Sequence, residues 1–146
     1  MIQLRFQSSR VSGNLIYEVI ARLPDNLLGI GVDIISVQRI RDSIDEFGDG
    51  FVKKVLSVNE IEDCSGKSDF SASVSARIAA KEAFFKALGT GFTDQKSWSS
   101  IEIKADKNGK PRVKLLDSEF LISEEQIHVS LSHEKDAAVA VVLIAD

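Results

Sequence analysis

Hydrophobic positions recur at changing intervals along the chain, and each interval predicts a type of secondary structure. A nearly continuous apolar run over residues 27–36 predicts a buried strand. Residues 37–47 then place apolar side chains on one helical face, namely Val37, Ile40, Ile44 and Phe47. Two glycines, Gly48 and Gly50, predict the end of this helix.

A long apolar segment in the middle of the chain predicts the central helix of the fold. Before it, Ser57 and Glu60 form a capping-box pattern for a short helix over residues 58–64. The long helix follows over about residues 72–88, and Gly89 occupies a position where helices commonly end. Apolar residues occupy most faces of the long helix, which predicts that it is buried.

The second half of the chain alternates between apolar and polar positions, as strands do. The segment SWSSIEIKAD predicts a strand. The segment KNGK predicts a hairpin turn centred on Asn-Gly, and PRVKLL predicts the returning strand. Two further strands are predicted by IHVSLSH and AAVAVVLIA. Helices segregated from a mostly antiparallel sheet give an α+β domain, which we place over residues 26–146.

Residues 1–25 form an N-terminal extension that differs from this domain. They contain three arginines and two acidic residues in a chain whose net charge is −4. Apolar residues at helical spacing before Pro24 predict an added helix. Arginine and serine with few acids are also typical of organelle transit peptides, so both interpretations stay open.

Composition narrows the class of protein. A chain of 146 residues with 44% hydrophobic residues is long enough for one domain with a real core. The negative net charge provides no general basic field for nucleic acid. No apolar run approaches the roughly 20 residues that span a bilayer, and the single cysteine excludes an internal disulfide framework. We expect a cytoplasmic protein that binds neither nucleic acid nor membrane.

Charged residues in apolar surroundings are the candidate chemistry. Asp33 lies inside the predicted buried strand, and Glu82 and Lys86 lie four residues apart on one face of the long helix. Arg77 and Lys81 are also four residues apart. Buried charges are costly unless they are paired or bind an ion. Two acids among several cations suit a phosphate-rich ligand held partly through Mg²⁺, although a surface Glu–Lys pair or a core ion pair is an alternative.

Two further positions allow a structural and a functional interpretation. His133 ends a predicted strand, where it either makes a structural hydrogen bond or contacts a phosphate. The segment Gly89-Thr90-Gly91 either ends the helix or holds a phosphate with its backbone N–H groups. The local sequence does not choose between these interpretations.

Five segments of the chain occur in an order that resembles one known family. They are GIGVDIISVQRI, FVKKVLSVNEIE, ARIAAKEAFFKALGTG, WSSIEIKADKNGKP and VSLSHEKDAAVAVVLI. The chain resembles the small class of phosphopantetheinyl transferases, the holo-[acyl-carrier-protein] synthases, from about residue 27 to its C-terminus. The combination of the aspartate with KEAFFKALGTG is the specific part of the resemblance.

The resemblance implies a reaction, a cofactor and an assembly. Enzymes of this family transfer the phosphopantetheine arm of coenzyme A to a serine of an apo acyl carrier protein, in fatty acid biosynthesis. Adenosine 3′,5′-bisphosphate is the other product, and the enzymes use Mg²⁺. Their fold is a small α+β unit that forms a homotrimer, with active sites between subunits.

The resemblance also implies roles for individual residues. Asp33 and Glu82 match the metal ligands, and Lys86 matches a lysine near the pyrophosphate of the coenzyme. We expect Glu82, directly or through a metal-bound water, to take the serine proton. The basic positions around the nucleotide phosphates are matched by Arg77, Lys81 and His133, and the backbone of Gly89 is a further candidate.

The expected carrier-binding surface departs from the family pattern. The family meets its acidic carrier with basic residues after the aspartate strand, and the matching positions here are Arg39, Arg41, Lys53 and Lys54. Four acids interrupt them: Asp42, Asp45, Glu46 and Asp49. Like charges weaken docking, so carrier binding is expected to be weaker, differently placed or aided by the extension. A non-catalytic carrier-binding module and a Mg²⁺-dependent hydrolase are the alternatives to the transferase.

Overall fold

The computed structural model describes residues 26–90 and 96–146, so the predictions for residues 1–25 lie outside the described residues. The first half of the domain contains a strand and four helices: β1 (Leu27–Ser36), α1 (Val37–Phe47), α2 (Asp49–Val55), α3 (Val58–Ser65) and α4 (Phe70–Ala87). The second half contains α5 (Lys96–Ser100), β2 (Ile101–Ala105), β3 (Pro111–Leu115), a 3-10 turn (Glu124–Gln126), β4 (Ile127–His133) and β5 (Ala137–Ala145).

The strands form two antiparallel sheets, which confirms the α+β class. One sheet has the order β1-β5-β4, and the other is the hairpin of β2 and β3. In the first sheet Asp33 lies opposite Ala140, which lies opposite Leu131. Residues paired in this way point to the same face, so Asp33 shares a face with buried residues of the central strand.

Helix α4 packs against this inner face and forms the centre of the core, as the apolar pattern predicted. Its N-terminus is capped by Asp69, whose side chain accepts a hydrogen bond from the Ala72 N–H. Small residues such as Ala79, Ala80 and Ala83 are fully buried. The helix stops beside Gly89, which has a positive φ of 74°. None of the described helices has the length and apolarity needed to cross a membrane.

The main chains of β1 and α4 approach each other directly at two glycines. A Cβ atom added to Gly31 would lie 1.9 Å from the carbonyl oxygen of Ala83. A Cβ atom added to Gly29 would lie 2.0 Å from the carbonyl oxygen of Ala87. Any other residue at these positions would force the strand and the helix apart. This contact brings the strand that carries Asp33 against the last turns of α4.

The outer face of the sheet corrects one prediction. Residues 27–36 form the predicted strand, but the strand is buried on one face only. Ile30 is 62% exposed and Ile34 is 70% exposed. The apolar outer face consists of Leu28, Ile30, Val32, Ile34, Val139, Val141 and Leu143, on β1 and β5. The continuous apolar pattern of β1 thus has no covering element among the described residues of a single chain.

Three local predictions were also wrong. Phe47 is 61% exposed because the contacts of α1 with the core end one turn earlier, at Ile44. Gly50 lies inside α2, since the positive φ of Gly48 alone breaks the chain between the two helices. The SWSS residues belong to the short helix α5, so β2 begins only at Ile101.

The close contact at Gly31 predicts that two Gly→Ala substitutions change the free energy of unfolding in opposite directions. Gly31→Ala should lower the free energy of unfolding by about 1–3 kcal/mol or more, because the new methyl group overlaps main-chain atoms that cannot rotate away. Gly50→Ala adds the same methyl group to an exposed helical position with open space around it. It should raise the stability by about 0.5–1 kcal/mol. Urea unfolding of both variants measures the difference, and equal stabilities would contradict the close packing.

Candidate active site

Asp33 is a nearly buried carboxylate at the junction of β1 and α4. Its side chain is 10% exposed, and its Oδ1 lies 2.6 Å from Nζ of Lys86. Its Oδ2 is buried and has no hydrogen-bond partner among the described residues. A buried carboxylate oxygen without a partner is costly. The second oxygen of Asp33 is therefore available for a ligand that supplies positive charge or a donor.

Glu82 and Lys86 lie one turn apart on α4 and complete a cluster with Asp33. The Lys86 side chain is half exposed and also donates a hydrogen bond to the carbonyl oxygen of Val32. Its hydrogen bond with Asp33 raises the pKa of Lys86. Partial burial, and then the charge of Asp33, raises the pKa of the Glu82 carboxyl, while Lys86 and Arg39 oppose the rise. The structure thus brings together the three residues that were predicted to carry the chemistry.

Asp33 and Glu82 line a cavity of about 380 Å³, which we call the carboxylate cavity. Polar side chains line one part of it, and Arg39 and Ser43 of α1 face the same space as Asp33 and Glu82. Apolar residues line the rest: Ile34, Ile35, Ile40, Phe51, Val55, Ile78 and Trp98. Asp33 and Glu82 are the two carboxylates here that could hold a divalent cation. No group of three or more His, Cys, Asp or Glu side chains suited to a metal occurs among the described residues.

Two predicted nucleotide-binding residues line a different cavity, of about 360 Å³, which we call the basic cavity. Arg77 and His133 line it together with Lys67 and Lys104, and it shares no lining residue with the carboxylate cavity. Arg77 lies five residues before Glu82, so the two side chains leave α4 about 140° apart around its axis. Within one chain, Arg77 and His133 are therefore separated from Asp33 and Glu82 by α4.

Arg77 is held only loosely in the basic cavity. Its side chain is 11% exposed, and its Nη2 lies 3.9 Å from the carboxylate of Asp63. Its Nη1 donates a long hydrogen bond of 3.4 Å to the carbonyl oxygen of Ser73. Its buried Nε has no hydrogen-bond partner among the residues described. A guanidinium with an unused buried donor suits an anionic ligand at this place.

Two other predicted phosphate contacts are used for structure. Lys81 is fully buried, and its ammonium pairs with the buried carboxylate of Glu60 and two main-chain carbonyl groups. It faces neither cavity, so we assign it to the core rather than to a phosphate. The Gly89 N–H donates to the carbonyl oxygen of Lys86 and ends α4. Gly91, in the second half of the proposed phosphate cradle, lies outside the described residues.

The four predicted carrier-binding residues differ in their surroundings. Arg39 lines the carboxylate cavity, whereas Arg41 pairs with Asp69 at 3.4 Å, at the N-terminus of α4. Lys53 makes an exposed pair with Asp49 at 3.6 Å, and Lys54 is exposed. Of the four, Arg39 is the one that lies beside the candidate catalytic residues.

Sequence reasoning missed that Arg39 and Trp98 face the same space as the two carboxylates. Helical spacing indicated that Arg39 lies away from the apolar face of α1, but not what it lies against. Trp98 was placed in a strand, and its position beside the cavity depends on the fold of α5. Neither position has a local sequence signal, since the cavity brings together residues from β1, α1, α4 and α5.

Comparisons with known proteins agree on one family. Residues 29–142 match the model of the 4′-phosphopantetheinyl transferase superfamily. The chain is 45% identical over 114 residues to the holo-[acyl-carrier-protein] synthase of Chlorobaculum tepidum, a match that covers 78% of this chain and 95% of that relative.

Two solved structures are similar to this fold. The holo-(acyl-carrier-protein) synthase of Bacillus anthracis, in complex with CoA (3′,5′-ADP), has a TM-score of 0.67 at 35% identity, covering 83% of this chain and 98% of that one. The Helicobacter pylori holo-[acyl-carrier-protein] synthase, in complex with coenzyme A, has a TM-score of 0.68 at 33% identity, covering 80% and 99%.

The raised pKa of Glu82 predicts how the Glu82→Gln variant unfolds. A carboxyl that holds its proton more tightly in the folded state loses stability as pH rises from its ordinary pKa to its raised one. Without divalent cations, Glu82→Gln should therefore match the parent protein at acid pH and unfold at a higher temperature at neutral pH. Thermal unfolding in EDTA from pH 4 to pH 8 measures this. Parallel curves for the two proteins would contradict the raised pKa.

Proposed function

Since this chain belongs to the 4′-phosphopantetheinyl transferase superfamily, we propose that it transfers the 4′-phosphopantetheine group of coenzyme A to an apo acyl carrier protein. Relatives named holo-[acyl-carrier-protein] synthase, and solved relatives in complex with coenzyme A, support these two substrates. The observation that carries the proposal is the cluster in which Asp33 and Glu82 line the carboxylate cavity and Lys86 bonds to Asp33. We place the reaction in cytoplasmic fatty acid biosynthesis, as the family resemblance implies.

The reaction is a displacement at phosphorus. The oxygen of the carrier serine bonds to the phosphorus that bears pantetheine, and the bond from that phosphorus to the 5′-phosphate oxygen of the nucleotide breaks. The serine loses its proton, and adenosine 3′,5′-bisphosphate leaves with the electron pair of the broken bond. Such reactions need alignment and neutralisation of charge more than covalent chemistry from the protein.

Mg²⁺ fits the carboxylate cavity, with Asp33 and Glu82 as its protein ligands. The buried Oδ2 of Asp33 has no partner among the described residues. Partial burial, and then the charge of Asp33, raises the pKa of Glu82 although Lys86 and Arg39 oppose the rise. Mg²⁺ is commonly held by one or two carboxylates, with water and phosphate oxygens as its other ligands. When bound here, the ion would neutralise charge on the pyrophosphate.

Glu82 is the proposed base for the serine proton, either directly or through a water molecule. Its partial burial raises its pKa, and a carboxylate with a raised pKa takes up a proton more readily. Asp33 is less suited to this role because one of its oxygens already accepts the Lys86 hydrogen bond. The two carboxylates thus divide into one that is hydrogen-bonded and one that can take a proton.

Lys86 is the proposed contact for the departing phosphate. Its ammonium is half exposed at the edge of the cluster and stays charged, because its hydrogen bond with Asp33 raises its pKa. A fixed cation beside the breaking bond stabilises the negative charge that develops on the leaving group. Arg39 lines the carboxylate cavity together with Asp33 and Glu82, where we propose that it meets the acidic carrier beside the reacting serine.

A homotrimer with active sites between subunits would join the two cavities. The basic cavity, with Arg77 and His133, lies on the other side of α4 from the carboxylates, so one chain supplies half of a nucleotide site at each place. The apolar outer face supports an assembly, because exposed apolar patches of this kind mark protein interfaces. We propose that the phosphates of coenzyme A contact Arg77 and His133 of a neighbouring subunit.

Mass spectrometry of an apo acyl carrier protein tests the function. Incubation with coenzyme A, Mg²⁺ and this protein should add the mass of one phosphopantetheine group, and EDTA should prevent the gain. Asp33→Asn and Glu82→Gln should each lower the rate about 100-fold or more, since each removes charge at the reacting phosphorus.

The remaining outcomes of this assay separate the alternatives. Intact coenzyme A with no mass gain would indicate a different carrier or a non-catalytic binding module. Cleaved coenzyme A with no gain would favour the hydrolase. Full activity of the Asp33→Asn variant in folded form would remove the proposed metal site.

The proposed trimer predicts a large effect of one charge on the outer face. Ile30→Glu should give a single chain by light scattering, because a carboxylate in an apolar interface loses its hydration without a partner. Transfer should then be lost, since the two half-sites no longer meet. Leu121→Glu, at a fully exposed apolar residue away from this sheet, is the matched control and should leave the assembly unchanged. An Ile30→Glu variant that stays oligomeric would place the interface elsewhere.

A further inference from the structure

The buried ion pair of Glu60 and Lys81 plays no part in the reaction proposed above, yet it contacts the walls of the carboxylate cavity. Nζ of Lys81 lies 2.8 Å from Oε2 of Glu60, and both side chains are fully buried. The same ammonium donates to the carbonyl oxygens of Val55, at 3.1 Å, and of Trp98, at 2.9 Å. An ammonium has three protons, so these three acceptors use all of them.

The carboxylate of Glu60 extends the connection to two more elements. Its Oε2 accepts a hydrogen bond from the Ser57 N–H at 2.8 Å, which closes the capping box of α3. Its Oε1 accepts one from the Ile103 N–H of β2 at 2.9 Å. One ion pair thus ties together α3, α4 and β2, together with the last residue of α2 and the middle of α5.

The Glu60–Lys81 pair lies next to the carboxylate cavity. The two carbonyl groups that Lys81 holds belong to Val55 and Trp98, and both residues line the cavity that contains Asp33 and Glu82. Lys81 also directly precedes Glu82 on α4. The pair therefore fixes the distance between the helix that carries Glu82 and two residues of the cavity wall, Val55 and Trp98.

Stability alone does not account for a buried pair at this place. Taking two charges out of water is costly, and burial lowers the pKa of Lys81 despite the neighbouring Glu60 carboxylate. In other proteins, uncharged residues of similar volume replace such pairs with little or no loss of stability. An uncharged pair would not reproduce the four hydrogen bonds that Glu60 and Lys81 make to the main chain, two to carbonyl groups and two to N–H groups.

We propose that the Glu60–Lys81 pair is a positioning element of the transfer reaction, which sets the width of the carboxylate cavity and the alignment of Glu82 with the reacting phosphate. This inference rests on the proposed function. It assigns Lys81 to positioning, in place of the phosphate contact that the family resemblance implied. Small errors in alignment reduce the chemical step strongly while affecting substrate binding little.

The double variant Glu60→Gln with Lys81→Met tests the proposal, because it removes both charges and nearly preserves both side-chain sizes. If the pair positions the site, kcat should fall at least about tenfold, while KM for coenzyme A changes less than about threefold. The temperature shift that Mg²⁺ causes in thermal unfolding should persist, since Asp33 and Glu82 are intact. A folded double variant with a smaller loss of kcat would overturn the proposal.

A second variant and a control keep the test decisive. If the double variant does not fold, Glu60→Asp keeps both charges and shortens the reach of the carboxylate by one CH₂ group, and a loss of kcat below about threefold would overturn the proposal. Arg112→Met removes a cation from an exposed pair with Asp106 on the hairpin and should leave kcat unchanged. An inactive parent protein would reject the proposed function itself, whereas an active parent with fully active variants would reject only the positioning role.

Discussion

The main chain of β1 lies against the main chain of α4, and this contact decides where the charged side chains of the site are found. Gly29 and Gly31 leave no room for a Cβ atom next to the carbonyl groups of the helix. Because the strand is this close, the residue two positions beyond Gly31 reaches the last turns of α4 without a long side chain. Asp33 therefore meets Lys86 at 2.6 Å and lies near Glu82. A larger residue at either glycine would separate the carboxylates from each other before it affected any catalytic group directly.

The cluster that results is electrostatically incomplete in one chain. Two carboxylates share one ammonium, one carboxylate oxygen of Asp33 is buried without a partner in the described structure, and the pKa of Glu82 is raised. A purely structural ion pair would satisfy its own hydrogen bonds, as Glu60 and Lys81 do in the core. Adjacent residues of α4, Lys81 and Glu82, belong to these two clusters. The contrast distinguishes a site that is suited to a cation from one that holds the fold together.

Local patterns predicted most of the fold, while contacts between distant segments decided the rest. The capping box of Ser57 and Glu60 and the Asn-Gly turn depend on residues a few positions apart, so the sequence specifies them directly. The strands β4 and β5 have the predicted extents for the same reason. The environment of Lys81 could not be predicted in this way. A lysine in an apolar helix suits a ligand and a buried partner equally well, and the choice depends on a glutamate 21 residues earlier and on two main-chain carbonyl groups.

The two faces of β1 connect the catalytic cluster to the assembly of the protein. Successive residues of a strand point to opposite faces, so Asp33 points toward α4 while Val32 and Ile34 point outward into the apolar patch. If the outer face were poorly packed, β1 could shift. Asp33 would shift with it, because it belongs to the same strand, whose glycines lie directly against α4. In a trimer that covers the outer face, assembly would thus both bring the basic cavity of a neighbour to the carboxylates and fix the strand that carries one of them. In such a trimer, one chain would depend on its neighbours both for the missing half of its site and for the position of its own Asp33.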